Sequence, residues 1–212
     1  MNAPGRFITL EGGEGAGKSS NLEFVAGLLR QSGVQAEVTR EPGGTLLAEA
    51  IRGLLVQPSQ EPMPPMTELL LMFAARADHM ERRIRPALDA GRWVVCDRFT
   101  DASYAYQGAG RGLGSGAVAT LEALVQGELR PDLTLLFDVE PEVGLIRAGT
   151  RGQPDRFERE RLEFFRRVRE GYLERARAEP DRICVVDAAR PLPDVQANLR
   201  QHIMEFIQAV GK

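Results

Sequence analysis

Gly12-Gly13-Glu14-Gly15-Ala16-Gly17-Lys18-Ser19 satisfies the pattern G-x-x-x-x-G-K-[ST]. The residues before it, Phe7-Ile8-Thr9-Leu10, are apolar and β-branched, as a buried strand requires. Those after it place Leu22, Val25, Ala26 and Leu29 at i, i+3, i+4 and i+7, a helical stripe that Gly33 is placed to end. A strand, a glycine loop and a helix in this order make a phosphate cradle. Glycines let the backbone N–H groups turn inward, and the helix N-terminus adds partial positive charge. Lys18 is suited to bridge the β- and γ-phosphates, and the Ser19 hydroxyl to ligate Mg²⁺. Of the 27 basic residues only Lys18 and Lys212 are lysine, so the loop uses a compact ammonium in a chain that otherwise uses arginine.

Four further strand-like runs follow: Ala36–Thr39, Trp93–Cys96, Leu133–Phe137 and Ile183–Val186. Helical stretches separate them, including stripes through Leu162, Phe165, Tyr172 and Ala176 and through Val195, Leu199, Ile203, Phe206 and Val210. Such alternation predicts an α/β fold with a parallel sheet covered on both faces. Four of the five runs reach an acid (Glu11, Asp97, Asp138, Asp187) at the strand end where ligands of such sheets bind. Four prolines between Gln57 and Pro65 mark a loop too short to divide the chain, so residues 1–212 read as a single domain.

The 212 residues, 43% hydrophobic and 27% charged, suit one globular domain. A net charge of −3 gives no broad positive field for a nucleic-acid backbone. The longest apolar run, Leu69 to Ala75, is far short of the roughly 18 residues of a membrane span. The N-terminus has no signal-peptide layout, and Cys96 and Cys184 read as reduced core thiols, so a cytoplasmic protein is expected. No N/T-K-x-D or D-x-x-G element accompanies the phosphate loop, which excludes a GTPase switch.

With Arg40-Glu41-Pro42-Gly43-Gly44-Thr45, Phe73-Ala74-Ala75-Arg76, Asp97-Arg98-Phe99, Ser103-Tyr104-Ala105-Tyr106-Gln107-Gly108 and the lid-like Arg147–Gly152 leading into Asp155-Arg156-Phe157-Glu158, the sequence resembles the thymidylate kinases over nearly its whole length. The resemblance implies a P-loop nucleoside monophosphate kinase fold with a five-stranded parallel sheet. It also implies ATP as donor, dTMP as acceptor, Mg²⁺ and a homodimer. It puts the loop Gly12, Gly13, Glu14, Gly15, Ala16, Gly17, Lys18 and Ser19 on ATP, and Ser19 and Asp97 near the metal. Arg98 and Arg52 fall on the dTMP phosphate, Glu41 on the pocket wall, and Glu14 on the sugar 3′-hydroxyl. Arg76 and Ser103 fall on the base, Tyr106 under the deoxyribose, and Gln107 as a further polar contact. An aromatic side chain stacks on thymine in this family, often four residues before the arginine; Met72 stands there, so Phe73 is assigned the stacking with Met72 beside it.

The variable positions of the loop hold no arginine, so the arginine that offsets charge during transfer is assigned to the lid, residues 147–158. Arg151 is favoured over Arg147 and Arg156. His79 and His202 match no site of the family. Chemistry asks for no general base, because a phosphate monoester with a second pKa near 6 is already ionised at neutral pH.

Overall fold

The computed structural model describes residues 5–149 and 155–211. Five strands, β1 (Phe7–Gly12), β2 (Ala36–Arg40), β3 (Trp93–Asp97), β4 (Leu133–Asp138) and β5 (Ile183–Asp187), form one sheet in the order β2-β3-β1-β4-β5. Every pairing is parallel, with Leu10 beside Asp97 and Gly12 beside Phe137 at the rim. Each strand falls on an expected apolar run, and β3, β4 and β5 close on their expected acids.

The helices are α1 (Lys18–Gln31), α2 (Leu46–Val56), α3 (Pro65–His79), α4 (Arg85–Asp89), α5 (Thr100–Ser103), α6 (Ser115–Gln126), α7 (Pro141–Gly149), α8 (Leu162–Ala178) and α9 (Leu192–Val210). Strand period decides which face each covers. Ile8 and Leu10 of β1 point to a core with Val25 and Leu29 of α1 and Leu199 and Ile203 of α9. Phe7, Val94 and Cys96 point the other way, against Met80, Ile84 and Phe99. Further along that layer, Leu136 and Ile183 meet Phe164, Phe165 and Tyr172 of α8. Cys96 is buried but Cys184 is only half-buried, and both are free thiols.

Two departures from regular helix matter to the site. A π-helical stretch, Met80–Ile84, joins α3 to α4, and another, Tyr104–Gly110, continues α5. A π turn widens the helix and shifts the facing of later side chains, a device concentrated at functional sites. The second stretch carries Tyr106 and Gln107.

Candidate active site

The phosphate loop leaves the C-terminal end of the central strand. Gly12, Gly15 and Gly17 all have positive φ (140°, 66° and 91°), which side-chain-bearing residues rarely adopt. Lys18 closes the loop, its Nζ donating to the carbonyls of Gly12 and Gly13 at 2.8 Å each. Burial, and after it the Arg98 guanidinium, push the Lys18 ammonium down to about 8. Ser19 sits exposed in the first turn of α1.

At the end of β3 the chain turns through Arg98, which has φ 69° and is the one non-glycine residue with positive φ among the described residues. Such a conformation costs about 1–3 kcal/mol and persists where the surroundings over-determine it. Here the Arg98 N–H donates to the Leu10 carbonyl at 3.0 Å, and the Cys96 thiol donates to the Arg98 carbonyl at 3.0 Å. The turn brings Arg98 Nη2 to Glu14 Oε1 (2.7 Å) and to the Tyr106 hydroxyl (2.8 Å). Tyr106 in turn donates to Glu14 Oε1 at 2.8 Å. Loop, strand end and π stretch are thereby joined by three side chains.

These residues form one wall of a cleft of about 670 Å³, including its open mouth, lined also by Glu41, Pro42, Arg52, Val56, Met72, Arg76, Phe99, Ala102, Ser103, Gln107, Asp155 and Phe157. Eight of the nine residues assigned to dTMP therefore converge there, from segments as far apart as residues 14 and 107. Arg52 donates to the Pro42 carbonyl at 3.0 Å. Burial first, then Arg40, with Arg98 adding to it, push the Arg52 pKa down, which shows cations crowding one another. Such crowding is relieved by an anion.

Arg76 can be accounted for atom by atom. Its Nε donates to Glu41 Oε2 at 2.7 Å, and its Nη2 donates to the Phe99 carbonyl (3.1 Å) and to Ser103 Oγ (3.0 Å). Nη1 is buried without a partner. A guanidinium only donates, so Arg76, which lines the cleft, keeps N–H groups that no protein acceptor takes.

The ninth residue, Phe73, differs from expectation. It lies beneath Arg76, 4.6 Å from ring centroid to guanidinium carbon, in a core with Leu69 and Val118, and does not line the cleft. Met72 and Phe99 are among the apolar side chains that do line the cleft, with Pro42, Val56, Ala102 and Phe157. Gln107 lines it too, its Nε2 donating to Glu68 Oε1 at 2.8 Å.

Glu68, fully buried, also takes Arg111 (3.0 Å) and Arg156 (2.7 Å). Arg156 donates as well from Nε to the Leu55 carbonyl (2.6 Å) and from its backbone to the Val56 carbonyl (3.1 Å). It anchors the lid flank to α2 and α3 instead of reaching towards the phosphate loop. Arg147 donates to the Ala188 carbonyl at 2.8 Å. Arg151 lies outside the described residues.

Three buried groups carry bonds that the sequence reading did not assign. Glu11 takes the Phe99 N–H (2.6 Å) and the Tyr172 hydroxyl (2.8 Å) behind the loop. Glu68 is the hub just described. His79 bonds Glu41 at 2.9 Å. Asp97 Oδ1 is buried without a partner, a free carboxylate oxygen close enough to Lys18 to raise that ammonium's pKa. Among the described residues no group of three or more His, Cys, Asp or Glu could hold a metal. Ser19 and the partnerless Asp97 Oδ1 are oxygen donors of the kind Mg²⁺ takes, one or two at a time, together with substrate phosphates and water.

A phosphate loop on the central strand of a 2-3-1-4-5 parallel sheet, opening on a second, arginine-lined cleft, defines a P-loop kinase of the nucleoside monophosphate class. The thymidylate kinase family model matches residues 10–199, and the chain belongs to that family. It is 60% identical over 205 residues to the thymidylate kinase of Alcanivorax borkumensis, covering 97% of this chain and 98% of that one. With the thymidylate kinase of Pseudomonas savastanoi pv. phaseolicola it shares 63% over 204 residues, 96% and 97% of the two chains. The crystal structure of thymidylate kinase from Ehrlichia chaffeensis superposes with a TM-score of 0.77 at 31% identity, over 97% of this chain and all of the other.

Proposed function

We propose that this protein transfers the γ-phosphoryl group of ATP to dTMP, giving ADP and dTDP, with Mg²⁺ as cofactor. The observation that carries the reading is the acceptor cleft itself. Arg52, Arg76 and Arg98 all line it, and Nη1 of Arg76 is buried without a partner.

In this reading Lys18 and the loop amides hold the ATP phosphates, and Arg98 and Arg52 hold the phosphate of dTMP. An oxygen of that phosphate, already ionised, attacks the γ-phosphorus as the bond to the β-phosphate oxygen breaks; no proton need be removed first. Two anions must be brought together, so catalysis is positioning and charge stabilisation. Ser19 and Asp97 would hold Mg²⁺, which would neutralise charge on the bridging phosphates. The Nη1 of Arg76 donates to a thymine carbonyl, with Met72 and Phe99 against the ring and Ser103 and Gln107 beside it. Tyr106 crowds the 2′ position, and Glu14 meets the 3′-hydroxyl. Arg151 supplies the lid charge.

Residues 1–212 act as one domain of a cytoplasmic homodimer. Exposed Leu47 and Leu54 of α2, Met66 and Leu70 of α3 and Leu124 of α6 support the association, because α3 packs against both other helices. The reading includes no nucleic acid or membrane partner: the net charge of −3 gives no broad positive field. No helix among the described residues is long and apolar enough to cross a bilayer.

The test is ADP release with each common nucleoside monophosphate. dTMP should react best and dUMP measurably, since one methyl group contributes about 1–3 kcal/mol of discrimination. UMP should be poor. AMP or CMP outcompeting dTMP would overturn the reading.

A further inference from the structure

His79 is the last residue of α3, fully buried, and no step of the proposed reaction uses it. Both ring nitrogens are engaged. Nδ1 lies 2.9 Å from Glu41 Oε1, and Nε2 lies 2.7 Å from Thr39 Oγ1. A carboxylate only accepts, so Nδ1 carries the hydrogen of the first bond. The other oxygen of Glu41 takes Arg76 Nε at 2.7 Å. One carboxylate is thus held between an imidazole and a guanidinium that sit three apart on the same helix, hence on one face.

The enclosure is tight. Gly44, at φ 88°, packs so closely on the imidazole that an added Cβ would lie 2.5 Å from Nε2 and 2.7 Å from Thr39 Oγ1. The Glu41 N–H is fixed to the Asp97 carbonyl at 2.9 Å. Backbone and ring together hold the Glu41 carboxylate, and its Oε2 holds Arg76 Nε, so that the guanidinium is kept at the cleft wall with Nη1 buried and without a partner.

We propose that His79 is a positioning residue for the acceptor base: acting through Glu41, it holds the Arg76 guanidinium in the orientation that reads a carbonyl. The proposal rests on dTMP occupying this cleft. Without the imidazole, Oε1 of Glu41 loses its donor and the carboxylate is free to rotate, taking Arg76 Nε with it.

Steady-state kinetics on the full chain separate this role from a merely structural one. His79→Leu should raise KM for dTMP at least about tenfold, the loss expected of a buried hydrogen bond to a charged group, with KM for ATP within about twofold of wild type. His79→Asn, whose amide nitrogen falls near the Nδ1 position, should recover most of the affinity. His79→Gln, whose amide falls near Nε2, should not. In an Arg76→Met background, His79→Leu should add nothing to KM for dTMP, because the group it positions is gone. Equal effects in both backgrounds, or a lowered Tm with KM for dTMP unchanged, would overturn the proposal. Should His79→Leu fail to fold, Thr39→Val keeps the volume and removes only the Nε2 bond. It should raise the same KM about two- to tenfold, and an unchanged KM there also overturns the proposal. A wild-type protein inactive on dTMP would sink the assigned reaction, whereas wild-type turnover with unaltered His79 variants sinks this role alone.

Discussion

Gly15 of the phosphate loop and Gly144 of α7 meet backbone to backbone, with no room for a methyl group on either. A Cβ on Gly144 would overlap the Glu14 carbonyl, and Glu14 is the residue that binds Arg98 and Tyr106. Alanine in a helix ordinarily improves stability by about 0.5–1 kcal/mol over glycine. Gly144→Ala should instead displace the loop, lowering kcat/KM for ATP about tenfold or more while helix content by circular dichroism stays intact. Wild-type kinetics would show that the contact yields freely.

Met72 and Phe73 divide in role. Met72 faces the cleft and Phe73 the core under Arg76. Met72→Ala should raise KM for dTMP several-fold with little change in Tm. Phe73→Ala should cost about 3–5 kcal/mol of unfolding free energy by denaturant titration, as buried phenylalanines do. The opposite pattern would return Phe73 to the thymine ring.

That division explains what the sequence could and could not disclose. The glycine loop, the strands closing on Asp97, Asp138 and Asp187, and the stripes of α1 and α9 were legible because each is a local pattern. The run Leu69 to Ala75 was not, because α3 is buried on two sides. Leu71, Met72 and Ala75 meet α2, whereas Leu69 and Phe73 meet α6, so apolar period cannot say which side opens on ligand. His79 escaped because its partners, Thr39 and Glu41, are 40 and 38 residues away. The π stretch Tyr104–Gly110 packs against α8 and α6, distant in sequence, and neither it nor Met80–Ile84 leaves a composition signature.

Lys18 gives a pH limb. Its pKa is lowered to about 8, so the free protein loses the ammonium as pH rises through that value. The ratio kcat/KM for ATP, which reports the free enzyme, should fall above about pH 8. Bound phosphates favour the charged form, so kcat at saturating ATP should hold to higher pH. A kcat/KM profile flat to pH 10 would contradict this. Lys18→Ala should lower kcat more than about tenfold while the protein stays folded.

Glu11 gives a stability limb of the opposite kind. Burial, and then Asp101, push its carboxyl up from 4.5 to about 8. The folded chain therefore holds a proton that the unfolded chain has released between those values. The contribution is complete below 4.5 and is lost as pH rises through about 8. Glu11→Gln removes the titration but keeps the shape. Its Tm relative to wild type should climb from pH 5 to pH 8, by the equivalent of on the order of a few kcal/mol, and then level off. A constant difference across that range would show that Glu11 titrates normally.

Arg156 and Arg151 should separate in the same pair of assays. Arg156 is tied to the Leu55 and Val56 carbonyls and to buried Glu68, which Arg111 and Gln107 also hold. Removing it breaks a bond to a buried charge but leaves Glu68 one guanidinium, so Arg156→Ala should cost about 1–3 kcal/mol of stability. The kcat of any folded Arg156→Ala protein should stay within about tenfold of wild type, since the bonds of the side chain run to α2 and α3. Arg147 is engaged with the Ala188 carbonyl, and in the proposed reaction the transferring phosphoryl group falls to Arg151. Arginines in that role contribute about 10³–10⁵ in kcat. Arg151→Ala should therefore lower kcat at least about a hundredfold, with Tm and calorimetric dTMP affinity near wild type. If Arg156→Ala lost the turnover and Arg151→Ala only the stability, the anchor and the catalytic charge would have been assigned to the wrong residues.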